Sequence, residues 1–228
     1  MLLYNETQLR GLAEEYYSLF YQYITRNINT NFNFCYNNFG KSFQFNLEIT
    51  DKIECGKTFH IQDKENNDIF WSYSFINSKL SKSEIYYISA HEFAHWIFFI
   101  NSIKNNELNY YNRERVRSYI NSIKNRVVAM KLLNITKDSY SIKNVIPTSI
   151  EEVKSRFRIE EYPVCSIARF LILPTTTLYQ EYYDFIDNKN TDISILFKNI
   201  QDKYSIPPHV IMLRLFDENL GVEIFNSL

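Results

Sequence analysis

The chain has 228 residues, 45% of them hydrophobic and 22% charged, with a formal net charge of −1. That length and balance suit one globular domain with its own core and room for a small appendage. They exclude a disordered chain and a globally basic nucleic-acid binder.

The opening stretch, MLLYNETQLRGLAEEYY, gains charge too early for a signal peptide or a membrane anchor, so the chain is expected to be cytoplasmic. Residues 6–26 repeat Leu9, Leu12, Ala13, Tyr16, Leu19, Phe20 and Tyr23 at helical spacing. From 31 to 80 the pattern changes to strands. In SFQFNLEI, Phe43, Phe45, Leu47 and Ile49 share one face, and IFWSYSFI is aromatic and strand-like. ECGK, around Gly56, is a turn candidate between strands.

Ser81 and Glu84 fit a capping box that opens a helix running to about Ile103. Residues 101–158 then hold twelve Lys/Arg against five Asp/Glu, and Val116, Tyr119, Ile120, Ile123, Val127 and Met130 mark an amphipathic helix over 113–131. Its basic face suits either solvent or an acidic partner. Residues 136–149 read as loop. A further helix begins around Pro163 and stops near Pro174, and two more cover 191–204 and 208–218. No element is assigned between Pro174 and residue 190.

The chemistry is concentrated in HEFAH, residues 91–95. Residues four apart on an α-helix are offset by about 40° and about 6 Å, so His91 and His95 point the same way and can share one ion. Catalytic zinc takes three protein ligands and a water, and Glu92, about 100° around from His91, stands where a general base belongs. With 4 histidines in the chain, chance supplies on the order of 0.005 such strings. Two imidazoles and a carboxylate buried among Ile88, Phe93, Trp96 and Phe98 purely as core would be costly without partners. The metal reading is therefore preferred.

Phe98 and Asn101 stand where a metzincin would have glycine and a third histidine, which closes that route. Neither His60 nor His209 lies near a recognisable metal motif. The third ligand is then expected to be a carboxylate on a later helix. Glu161, in the first turn of the helix with inner edge Val164, Ala168 and Leu171, is the best candidate, with Glu160 one residue away as runner-up. The cysteines, Cys35, Cys55 and Cys165, form no C-x-x-C pair, which agrees with a reducing compartment and excludes a cysteine zinc knuckle. Cys165 reads as a packed thiol. With only 4 glycines, at 11, 40, 56 and 221, no phosphate-cradling loop is possible. The last two helices could be read as a helix-turn-helix. Their charge is slightly negative, so direct nucleic-acid binding is not expected and a pair docked on the rest is preferred.

His91-Glu92-x-x-His95, then Glu161 with Val164 three on, Ile167-Ala168 and Leu171-Ile172-Leu173-Pro174, resembles the ImmA/IrrE family of zinc peptidases. That family's signature is H-E-x-x-H followed by E-x-x-A-x-x-F-A-x-x-L-L-x-P. Arg214-Leu215 and Leu220-Gly221 are similar to its closing segment. The resemblance covers about 69–100 and 158–221. Val164 and Ile167 replace the usual alanine and phenylalanine, and the long stretch before Glu161 marks 101–158 as an insertion.

The resemblance implies an α+β, zincin-like fold: a small twisted sheet packed on the H-E-x-x-H helix, with a helical C-terminal half. It implies a catalytic domain over 1–185 with the helical insertion at about 101–158, and a helix pair over 190–228 packed on it. The ligands of Zn2+ would be His91, His95 and Glu161, and Glu92 would deprotonate the attacking water. The implied activity is a metalloendopeptidase making limited cuts in a regulatory protein, a helix-turn-helix repressor of a mobile element or stress regulon. The alternative is a binding module that keeps the fold and sequesters such a partner without cutting it. An oxyanion donor is expected, but no spacing rule selects it among 18 tyrosines, His209 and Arg214.

Overall fold

Four strands and six α-helices account for most of the ordered backbone in the computed structural model, which describes residues 5–63, 66–105, 162–188 and 192–220. The helix expected over 113–131 and the loop over 136–149 lie outside the described residues.

Helix α1 (Glu6–Leu19) opens with a capping box between Asn5 and Gln8. It runs on through a wide π-helical turn, Phe20–Ile24, and a short 3-10 turn, Thr25–Asn27. The wider turn keeps Phe20 and Ile24 both in the core. Phe20 lies 5.7 Å from Phe93 and Tyr23 stacks on Phe34 at 4.2 Å between ring centroids.

Strands β1 (Phe32–Asn38), β2 (Lys41–Thr50), β3 (Gly56–Gln62) and β4 (Ile69–Asn77) form one mixed sheet in the order β1-β2-β4-β3. β1 and β2 are an antiparallel hairpin whose two turn residues, Phe39 and Gly40, both have positive φ. β2 and β4 are parallel, and β3 is antiparallel to β4 on its outer side. ECGK was expected to turn between strands. In the structure the chain bends through 51–55 and Gly56 is already the first residue of β3.

Alternation divides the sheet's two faces. Phe43, Phe45, Leu47 and Phe70 join the main core, whereas Phe59, Ile61, Tyr73 and Phe75 form a second cluster with Ile53 and Trp71 beside it.

Helix α2 (Lys82–Lys104) carries the capping box expected at Ser81 and Glu84. It is apolar on nearly every side, as a helix at the centre of a fold must be. It packs on the sheet, on the turn at Phe20–Ile24 and on α3 (Tyr162–Ile172), which also packs on α1. Trp96, wholly buried, is met edge-on by Phe34 at 5.3 Å, Phe45 at 5.6 Å and Tyr36 at 5.9 Å.

Helix α4 (Thr175–Asp187) was not expected from the sequence. Pro174 ends α3 and also serves as the N-cap of α4, so the stop signal concealed a start. One of the positions that α4 buries is a glutamate: Glu181 bonds to Lys203 and Tyr204 of α5 (Ile193–Tyr204).

Helix α6 (Pro208–Asp217) is held to α3 by two buried arginines. Arg169 makes a bidentate pair with Asp217 at 3.1 Å for both bonds. Arg214 donates to the Leu173 carbonyl at 3.0 Å and to Glu218 at 2.8 Å, with its guanidinium 4.2 Å over the Phe170 ring. Among the described residues no helix is long and apolar enough to cross a membrane.

The fold is α+β: a small mixed sheet packed on one central helix, followed by helices. Ser81→Ala removes the acceptor at the start of that helix. It is expected to cost about 1 kcal/mol, read as a lower urea midpoint with an unchanged m-value.

Candidate functional site

His91, Glu92 and His95 project from the middle of α2, where packing on several sides fixes the helix's rotation. The two imidazoles lie one turn apart, 4.9 Å between centroids with their planes at 82°. His91 is buried and His95 half-buried. Burial lowers the His91 pKa from 6.5 to about 4. Burial, and then the charges His91 and His60 would carry, hold His95 well below its ordinary value. Both rings are therefore neutral near pH 7, the form in which imidazole ligates a metal.

Glu92 points toward β3. The Thr58 hydroxyl donates to Oε2 at 2.7 Å, and the Ser74 hydroxyl lies 2.6 Å from Thr58. A hydroxyl has one proton, and an ionised carboxylate can only accept. Thr58 thus gives its proton to Glu92 and receives one from Ser74, its partner across β3 and β4. The other carboxylate oxygen fills the space beside Gly56: a Cβ there would stand 2.6 Å from Oε1 and would also meet Ile88. Gly56 is a glycine because helix and strand approach too closely at this point for any side chain.

The next pair on the same face of these strands is His60 and Ser72. Nδ1 of His60 lies 2.8 Å from the serine hydroxyl, and the ring stacks on Phe99 at 4.2 Å. His60 is thus brought to the motif helix, near enough for its charge to be felt at His95. His209 also reaches this helix, its ring edge-on to Tyr87 at 5.5 Å, one turn before His91. Burial brings its pKa down to about 4, helped by the Arg169 charge and opposed by Glu84.

From the other side α3 brings Cys165. Its sulfur lies 3.7 Å from Nδ1 of His91 and within hydrogen-bonding reach of the Tyr87 hydroxyl. The expected packed thiol is therefore half-buried and touches a motif histidine.

Glu161 and Glu160, the two candidates for third ligand, lie outside the described residues. Among the described residues no group of three or more His, Cys, Asp or Glu side chains is placed to hold an ion. Of the residues weighed as oxyanion donors, Arg214 is wholly buried and committed to Leu173, Thr175 and Glu218. Sequence reasoning read Gly56 only as part of a turn and singled out none of Thr58, Ser74 and Tyr87. For Ser74 the signal was present in part, as a polar residue on the otherwise largely aromatic strand β4.

Compared with family models, curated proteins and solved structures, the chain matches none.

Gly56→Ala forces a methyl against Glu92 and Ile88. It is expected to cost about 1–3 kcal/mol in unfolding free energy, measured by urea denaturation.

The histidines give a pH dependence. A folded pKa near 4 against 6.5 means that the unfolded chain binds more protons between those values. Metal-free protein should hold its full stability above pH 6.5 and lose it progressively toward pH 4. The check is the urea midpoint across that range. A flat profile would contradict the buried neutral state of His91 and His209.

Proposed function

We propose that this chain is a zinc metallopeptidase with a zincin-like fold, of the ImmA/IrrE kind. The observation that carries the reading is the arrangement on α2. Two neutral imidazoles lie one turn apart, edge to face, and between them in sequence is a buried carboxylate held toward β3 by the Thr58 hydroxyl. A carboxylate held by a strand hydroxyl suits a base better than a ligand.

His91 and His95 would hold the ion, with Glu161 as the third ligand and Glu160 as the other choice. Cys165, which touches His91, follows Glu161 by four positions. On a continuous helix residues at that spacing share a face, which favours Glu161. Glu92 accepts the proton of the attacking water and returns it to the departing amine. The Thr58 hydroxyl holds one oxygen of that carboxylate still.

The substrate is a protein, on this reading a helix-turn-helix repressor, and that choice rests on the family resemblance alone. Cytoplasmic location belongs to the same reading. Two of the cations of the C-terminal helices, Arg214 and Lys203, are engaged by Glu218 and Glu181, which weighs against those helices as a duplex-binding surface.

Purified protein should contain about one zinc per chain. Glu92→Gln should retain it while slowing cleavage of repressor substrates about 10²–10⁴-fold, followed by mass spectrometry of the products. Zinc-free protein with unchanged activity in Glu92→Gln would end the enzyme reading. Repressor release that survives Glu92→Gln would instead support sequestration by a binding module.

A further inference from the structure

We propose that Cys165 is a positioning residue for His91, its sulfur accepting the Nδ1 proton of that ring while the Tyr87 hydroxyl steadies the thiol from behind. The inference rests on the metallopeptidase reading above and goes beyond it, since nothing in that reading gives Cys165 a task.

The geometry is specific. Sγ lies 3.7 Å from Nδ1 of His91, within reach for a hydrogen bond to sulfur. A neutral imidazole that offers one nitrogen to a metal must carry its proton on the other, and that proton needs an acceptor to fix tautomer and ring rotation. The sulfur meets this need where a carboxylate or carbonyl more often does.

Tyr87 lies one turn before His91 on α2. Its deep burial pushes its pKa well above 10, so its hydroxyl keeps a proton to donate to the sulfur. The position of Cys165 is in turn set by α3, which is anchored one turn later. Arg169, on the same face of the helix, is clamped by both oxygens of Asp217 on α6. The chain of contacts therefore runs from Asp217 through Arg169 and α3 to Cys165 and then to His91.

Cys165 is placed as a neighbour of the ligand and not as a ligand itself. It stands against Nδ1 of His91.

The test is zinc affinity of the full-length chain, measured by competition with a chromogenic chelator, beside the urea midpoint of the metal-free protein. Cys165→Ala is expected to bind zinc about 10–100-fold more weakly, with the metal-free midpoint little changed. Cys165→Ser keeps an acceptor and should recover most of the affinity. Tyr87→Phe removes only the rear donor and should show a smaller loss; it also serves if Cys165→Ala does not fold. A purely structural thiol would lower the midpoint and leave the affinity of the folded protein unmoved, which would overturn the proposal.

Cobalt decides the remaining case. An intense near-ultraviolet thiolate-to-cobalt band in the wild-type protein, lost in Cys165→Ala, would make Cys165 a ligand and overturn the positioning role. Failure of the wild-type protein to bind zinc at all would sink the metallopeptidase reading itself. Wild-type-like affinity in Cys165→Ala would sink only this inference.

Discussion

A helix packed on most of its circumference cannot turn about its axis without opening cavities on several sides at once. Helix α2 is held in that way, by the aromatic face of the sheet, by the turn at Phe20–Ile24 and by α3. Trp96 and Phe93 act as keys, since each meets several rings. Everything chemical in the site depends on this fixed rotation. It sends Glu92 toward β3, lays His91 against Cys165 and keeps His95 half-buried beside His91.

The cost of placing polar groups in so apolar a helix is met by neighbours that are themselves fixed. Glu92 takes a proton donor from Thr58, which takes one from Ser74, so the carboxylate is tied to two strands of the sheet. Gly56 contributes by being absent, since its missing side chain is the space that Glu92 occupies. The histidines are buried neutral, which needs no counter-charge. Farther out the charges are real and paired. Burial opposes the charge on Arg169, and Asp217 more than offsets that; at Arg214 burial outweighs the acidic partners, although Glu218 is bonded to it. Removing one partner of such a pair leaves the other buried alone, so these contacts fix how α6 sits on α3 more than they add stability.

Much of the fold was legible. The 6–26 helix, the alternation in β2, the Ser81 cap and the last two helices follow from periodicity and capping chemistry, which act within a few residues. Helix α4 was missed for a local reason: one proline closes α3 and opens α4, and a buried position carries glutamate where apolar residues are expected. At the site, helical spacing was enough to pair His91 with His95 and to turn Glu92 aside. His60 and His209 were set apart from the motif because they are distant in sequence, yet both are carried to α2, one by strand pairing and the other by the docking of α6.

The sequence by itself determined which atoms could do chemistry: two imidazoles and a carboxylate on one helix, at a spacing dictated by the rise and twist of the backbone. Only the tertiary structure decided what surrounds them. The Thr58 hydroxyl, the space at Gly56 and the Cys165 sulfur come from other elements. Short-range spacing fixes geometry along one helix because each residue's position follows from its hydrogen-bonded neighbours. Contacts between a helix and a strand edge follow from how many apolar surfaces pack together, and no local pattern encodes that.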